Sequence, residues 1–292
     1  MSVRFTKGHG TENDFVLLAD LDGRLDLSAA QVARLSDRHA GIGGDGVIRV
    51  VRTVHAEEPE VRAQADEAEF FMDYRNADGS KAQMCGNGTR VFATWLRREG
   101  LIGDGESVVA TRAGTRRVRF EGDEVVTHMG TWSLVHPTEA AERGVDSFVH
   151  VDEAEDVDDP YSALSLDLGN PHTVVALPPE VSLDGLDLTR APVVRPVPPE
   201  GSNVEFVRVL GPGHLAMRVH ERGVGETRSC GTGVCAAALA VGIWSDSVGS
   251  GAWRVDVPGG TLTVRALPDH QVELAGPAVL VADGQTDLLT GV

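Results

Sequence analysis

The sequence predicts an α/β (α+β) protein of two pseudosymmetric domains that arise from an internal duplication, each with β-strands wrapped around a central helix. Three observations lead there. A cysteine-glycine loop occurs twice, as "MCGNGTR" (84–90) and "SCGTGVC" (229–235). The flanks repeat at matched spacing: a methionine precedes each cysteine by 13 positions (Met72 to Cys85, Met217 to Cys230), and each hairpin region runs 16 positions between glycines (Gly114 to Gly130, Gly260 to Gly276). A chain of 292 residues is also long for one core and comfortable for two.

Each half has one order of parts. "GTENDFVLLAD" resembles "LGNPHTVVAL", and "GGDGVIRVV" resembles "SNVEFVRVL", so an Asn-bearing loop leads into a strand and a second strand follows. "EFFMDYRN" and "HLAMRVHER" alternate apolar and polar residues, the period of a strand. A helix follows each cysteine loop. "TRVFATWLRREG" places Val91, Phe92, Trp95 and Leu96 on one helical face, with Gly100 as a stop. "GVCAAALAVGIW" is apolar nearly all round, so that helix is expected to be buried. "TRAGTRRVRFEGDEVVTHMG" and "VPGGTLTVRALPDHQVELAG" close the halves as hairpins. The expected domains are 1–130 plus 277–292, carrying Cys85, and 131–276, carrying Cys230. The tail "VLVADGQTDLLTGV" is expected to return as a strand on one half.

Composition narrows the function. Hydrophobic residues make up 41% and charged residues 24%, ordinary for a soluble globular chain. The net charge of -18 repels phosphate backbones and disfavours nucleic acid as a partner. The acidic runs at 55–69 and 152–159 read as solvated loops. No apolar run approaches a membrane span, and "MSVRFTKGHG" lacks a signal-peptide core, so a cytoplasmic protein without a membrane partner is expected. Three cysteines cannot all pair, and reduced thiols are the default.

Each cysteine loop falls at the start of a predicted helix, where unpaired N–H groups and the positive dipole end gather. A thiol there is expected to ionise below its free pKa of about 8.5, and a carboxylate can dock on the same N–H groups. If the halves face each other, Cys85 and Cys230 flank one α-carbon. One thiolate then removes the α-proton and the other thiol returns a proton to the opposite face, a two-base racemisation or epimerisation. The carbanion needs stabilising, and one well-aimed N–H donor is worth roughly 3 kcal/mol in the transition state. Cys235, inside "VCAAALAV", reads as a small hydrophobe. Zinc is not expected, because the chain has no CxxC pair. "GIGGDG" matches neither the Walker nor the dinucleotide fingerprint. Residue types leave a Ser-His-Asp triad open, although there is no GxSxG elbow.

The motifs "HGTENDF", "DRHAGIGGDG", "NADGSKAQMCGNGTR", "LGNPH", "SNVEFV", "ERGVGET" and "SCGTGVCAA", in this order over nearly the whole chain, resemble the diaminopimelate epimerase family. The resemblance implies a cofactor-independent, usually dimeric isomerase that interconverts L,L- and meso-diaminopimelate in lysine and peptidoglycan-precursor synthesis. It implies Cys85 and Cys230 as the catalytic pair, with His172 and Glu221 tuning them. Asn13, Asn76, Asn170, Asn203, Glu221 and Arg222 match substrate-binding positions. Gly86, Asn87, Gly231 and Thr232 match the loop backbones that receive the carboxylate at the reacting centre. The chemistry agrees: a distal carboxylate suits a planar guanidinium, and an ammonium suits amide carbonyls and a carboxylate. Each residue also has a plainer reading. The asparagines suit turns, Arg222 a surface ion pair, and His172 a core hydrogen bond. The chain departs from the family pattern at Thr11-Glu12, where Leu-Gly is common, and at Gly46, where a substrate-contacting Gln is common.

Three other functions use the same features. A proline or hydroxyproline racemase also pairs two thiols, but its substrate has no distal amino acid for Arg222. A redox sensor would join Cys85 and Cys230 reversibly, and oxidative inactivation reversed by reductant is expected as a side effect of such a pair. A non-catalytic amino-acid binder would need neither thiol.

Overall fold

The strands of the two halves pair in the same order. The computed structural model describes residues 2–151 and 160–289; the acidic run 152–159 lies outside the described residues. The chain divides into two units, Met1–His128 with Gly276–Val292, and Met129–Ala275.

The first unit contains β1 (Val3–Gly10), β2 (Asn13–Ala19), α1 (Ala29–Ser36), β3 (Gly46–Arg52), α2 (Pro59–Arg62), β4 (Phe70–Asn76), α3 (Gly86–Arg98), β5 (Ser107–Thr111), β6 (Gly114–Glu121) and β7 (Glu124–Thr131). Its strands neighbour one another in chain order. The β2–β3 and β4–β5 pairs are parallel and the others antiparallel. The C-terminal strand Val279–Thr286 pairs antiparallel with β1, as expected of the tail.

The second unit contains β8 (Ser133–Leu134), α4 (Pro137–Arg143), β9 (Ser147–His150), β10 (Tyr161–Asp167), β11 (Pro171–Ala176), β12 (Val193–Arg195), β13 (Asn203–Gly211), β14 (His214–Glu221), β15 (Gly225–Thr227), α5 (Gly231–Trp244), β16 (Ala252–Val257), β17 (Gly260–Leu267) and β18 (Gln271–Pro277). The series β10, β11, β13, β14, β16, β17, β18 repeats β1 to β7, and β11–β13 and β14–β16 are the parallel pairs.

Parallel neighbours need a crossover, and the helix after each cysteine loop supplies one. In α3, Val91, Phe92, Trp95 and Leu96 are buried against Phe15, Leu17, Ile48 and Met72 of the sheet, while Arg97 and Arg98 end the helix. In α5 every residue from Gly233 to Gly242 is buried, as its all-round apolarity requires.

Two expectations change. "EFFMDYRN" was expected to have one wet face, yet Phe70 to Arg75 are all buried. The acidic run 55–69, expected to be solvated, covers the outer face of the sheet. Val61 and Ala68 pack there with Val51, Phe71 and Ala110. Its Glu57 pairs with Arg49 at 2.8 Å, and its Glu58 with Lys81 at 2.8 Å and Arg112 at 3.0 Å. Beneath them the fully buried Asp73 accepts from Arg49 at 2.8 Å and Arg75 at 3.1 Å, and also from Arg112. Burial would raise its carboxyl, but the Arg75 and Arg112 guanidiniums outweigh it and hold the pKa at about 2.

One departure from the family pattern, Thr11-Glu12, forms the β1–β2 turn. Thr11 and Glu12 have φ of 49° and 62°. A two-residue hairpin of this hand needs positive φ at both positions, where glycine is the usual second residue. Glu12→Gly is therefore expected to stabilise the protein by about 1 kcal/mol, read from urea unfolding. Asp73→Asn is expected to cost about 3 kcal/mol, because three guanidiniums lose their buried counter-charge. The pH dependence follows from the lowered pKa. Asp73 contributes about 2 kcal/mol that is complete above its ordinary pKa of 3.8 and is lost as pH falls toward 2. The stability difference between wild type and Asp73→Asn should shrink over that window; a constant difference would refute the assignment.

Candidate active site

Cys85 and Cys230 stand at the same place in each unit, as the residue before the first turn of α3 and of α5. Their surroundings differ.

In the first unit Cys85 is half-buried, and its sulfur accepts from the Gly88 amide at 3.4 Å. The thiol donates to Asn13 Oδ1 at 3.6 Å, and Asn87 Nδ2 donates to the same oxygen at 3.2 Å. Asn13 Nδ2 donates to Asp45 Oδ2 at 2.7 Å, which fixes the amide orientation. Asp45 and Asp14 share Arg38, and Lys7 also binds Asp14. Burial would raise the Asp14 carboxyl, but hydrogen bonds from Arg38 and Lys7 hold it far below its ordinary range. Asn87 Oδ1 accepts from the fully buried Arg90 at 2.8 Å, so the Asn87 side chain braces the loop while Gly86 opens the helix. Asn76 ends β4 and donates to Ser80 Oγ at 3.0 Å, inside its own turn. At Gly46 an added Cβ would meet the Arg75 carbonyl oxygen at 2.4 Å and Tyr74 Cε2 at 2.6 Å. With this backbone, a glutamine there would have to displace both the Arg75 main chain and the Tyr74 ring.

In the second unit a chain of polar contacts ends on Cys230. His172 Nδ1 lies 2.7 Å from Glu205 Oε1, and Nε2 lies 3.1 Å from Asn170 Oδ1. Asn170 Nδ2 donates to Thr232 Oγ1 at 3.4 Å, and Thr232 Oγ1 lies 3.6 Å from Cys230 Sγ. Glu221 accepts from Thr227 Oγ1, and its charge acts on Cys230. Burial pushes the Glu221 carboxyl up, opposed chiefly by the Thr227 hydrogen bond. Cys230 departs from the expectation of an acidified thiol. Burial, then the Glu221 and Glu205 carboxylates, raises it well above its ordinary value, against the Gly233 amide and the Thr232 hydroxyl. Desolvation and two anions outweigh one helix end. Cys235 is buried within α5, as expected of a packing residue.

Asn203 is buried, with both ends of its amide engaged: Oδ1 accepts from the Arg222 backbone at 2.9 Å, and Nδ2 donates to the Pro171 carbonyl at 3.2 Å. It thereby ties β13 to β11 and sets the Arg222 main chain. The Arg222 guanidinium is partly exposed and donates to the Glu200 carbonyl at 2.5 Å. Gly231 begins α5.

Sequence reasoning missed Glu205, Thr227, Asp45 and Arg90. Glu205 carried a signal: a lone carboxylate interrupts the apolar run of "NVEFV".

Each helix start offers backbone amides that can receive an anionic group, and each sulfur can carry a proton. A family model described as diaminopimelate epimerase matches residues 5–135 and 164–281. The chain is 48% identical to a diaminopimelate epimerase of Streptomyces coelicolor, over 98% of this chain and 96% of that one. It is equally 48% identical to one of Thermobifida fusca, over 98% of each. Among solved structures, a Bacillus anthracis phenazine biosynthesis protein of the PhzF family has a TM-score of 0.63 at 15% identity, covering 98% of this chain and 99% of that one. An Agrobacterium vitis hydroxyproline epimerase has a TM-score of 0.59 at 15% identity, covering 98% and 91%. These two establish the fold alone, a two-domain α+β type. With the family model covering most of the chain and both relatives close over nearly their full length, the chain belongs to the diaminopimelate epimerase family of amino-acid epimerases.

Proposed function

We propose that the protein interconverts L,L- and meso-diaminopimelate by a two-base thiol mechanism without a cofactor, as a cytoplasmic homodimer in lysine and peptidoglycan-precursor synthesis. The observation that carries this reading is the repeated thiol: each unit sets one cysteine at the start of the helix its sheet covers.

One sulfur acts as thiolate. It takes the α-proton and forms S–H, and the C–H electron pair passes into the carboxylate as an enediolate. The other thiol gives its proton to the opposite face of the carbon and becomes thiolate. No net proton or electron is consumed. The amides of Gly86, Asn87, Gly231 and Thr232 receive the charge that develops on the reacting carboxylate. Asn13 orients the Cys85 thiol, to which it is already hydrogen bonded. Asn170 and Thr232 do the same for Cys230. The Glu221 charge raises the proton affinity of Cys230, and His172 steadies Asn170. At the distal end Arg222 turns from the Glu200 carbonyl to the second carboxylate, and Asn203 serves by holding its main chain. Asn76 and Glu221 offer acceptors to the ammonium groups.

The test is α-proton exchange in heavy water with reduced protein. Deuterium entry and isomer formation are expected with L,L-diaminopimelate and not with L-proline. Exchange with proline alone would keep the chemistry and change the substrate. Exchange with neither would leave the redox and binding readings. Cys85→Ser and Cys230→Ser should each lower kcat by about 10³-fold or more while substrate still binds. Turnover should follow a bell in pH. Its alkaline limb reports loss of the acidic thiol. Because Cys230 is raised, that limb should lie above the ordinary thiol pKa of about 8.5. A profile flat from neutral to alkaline pH would sink the mechanism.

A further inference from the structure

The duplication invites a comparison of what lies behind each cysteine. In the first unit Phe15 and Ile48, on β2 and β3, back the Cys85 turn, and both are fully buried. They lie 3.5 and 3.3 Å from the point a Cβ on Gly88 would occupy, and Cys85 Cβ lies 3.5 Å from it. The strand registers pair Phe15 with Gly46, and His172 with Asn203. With Asn13 and Asn170 matched in the repeat, His172 occupies the place of Phe15, and the registers Leu17–Ile48 and Val174–Glu205 set Glu205 in that of Ile48. Glu205 Oε1 lies 2.6 Å from the point a Cβ on Gly233 would occupy, and Cys230 Cβ lies 3.3 Å from it. Only a glycine lets the carboxylate come this close to the first turn of α5. Where one thiol is backed by hydrocarbon, its counterpart is backed by a carboxylate and an imidazole, both fully buried.

Glu205 has no surface role to explain it. Oε1 meets His172, and Oε2 is buried with no hydrogen-bond partner. The titratable groups facing it are His172 from β11, Glu221 from β14 and Cys230 at the start of α5. A buried carboxylate without a second partner is costly, and packing gives no reason to keep it where the first unit uses isoleucine.

We propose that Glu205 is a positioning residue for the proposed two-thiol reaction: it holds the His172 ring at the head of the contact chain to Cys230 and lays a negative charge under the first turn of α5, so that the two thiols differ in proton affinity. The consequence for turnover rests on the function proposed above; the inequality of the thiols does not. The substrate-free protein then carries a proton on Cys230.

The test uses full-length reduced protein labelled with ¹³C at cysteine Cβ, so that each thiol titrates separately by NMR. Glu205→Gln is expected to raise the thiolate fraction of Cys230 at pH 10 about tenfold, one unit in its midpoint, and to leave Cys85 unmoved. Glu205→Asp should restore most of the wild-type behaviour. An unmoved Cys230 midpoint, or equal movement of Cys85, overturns the proposal. If Glu205→Gln does not fold, Gly233→Ala decides by the same criterion, since its Cβ displaces the carboxylate. In the exchange assay Glu205→Gln should move the alkaline limb of kcat/KM to lower pH, with KM little changed. A shifted thiol in a protein whose wild type exchanges no α-proton would reject the proposed reaction and leave this inference standing.

Discussion

A helix that is apolar on every side has only its ends to offer. From Gly233 to Gly242 α5 presents no charged or amide side chain, and all ten residues are buried. Strands β10, β11, β13, β14, β16 and β17 lie against it and remove its lateral surface from water. Its first turn still carries amides that no preceding residue can satisfy within the helix. The polar interior of the second unit collects around that turn, where His172, Asn170, Thr232, Glu205 and Glu221 converge. Burial of the helix and the chemistry at its start are therefore one constraint. The first unit obeys it less strictly, since α3 ends in Arg97 and Arg98.

Much of this was legible because the chain states it twice. Repeated spacing around the cysteines aligned the strands, and the change of period after each loop located α3 and α5. What stayed hidden depends on contacts distant in sequence. Asp73 and Arg75 read as a wet face because period-2 alternation reports polarity, and a buried ion pair is as polar as a solvated one. Only the return of residues 55–69 over β3 and β4 decides between them. The proton affinity of Cys230 was misjudged for a related reason. The helix end that favours a thiolate is local, whereas the desolvation and the two carboxylates that oppose it come from the covering strands.

The asparagines show the limit of motif matching. Asn13 and Asn170 occupy the same place in the repeat, and each lies at its cysteine or one contact away. Asn203 and Asn76 carry the same functional group, yet one is closed off by two backbone partners and the other is engaged in a turn. Residue type alone does not distinguish an amide that faces a ligand from one that ties down a strand.

The pairing of Val279–Thr286 with β1 has a consequence for biosynthesis. A ribosome delivers β1 first and its outer neighbour last. Until then β1 presents an unprotected edge on that side, a surface prone to pair with foreign strands. The second unit, drawn from one continuous stretch of chain, has all its strands before that final segment emerges. The half that is made first is thus the half that is completed last.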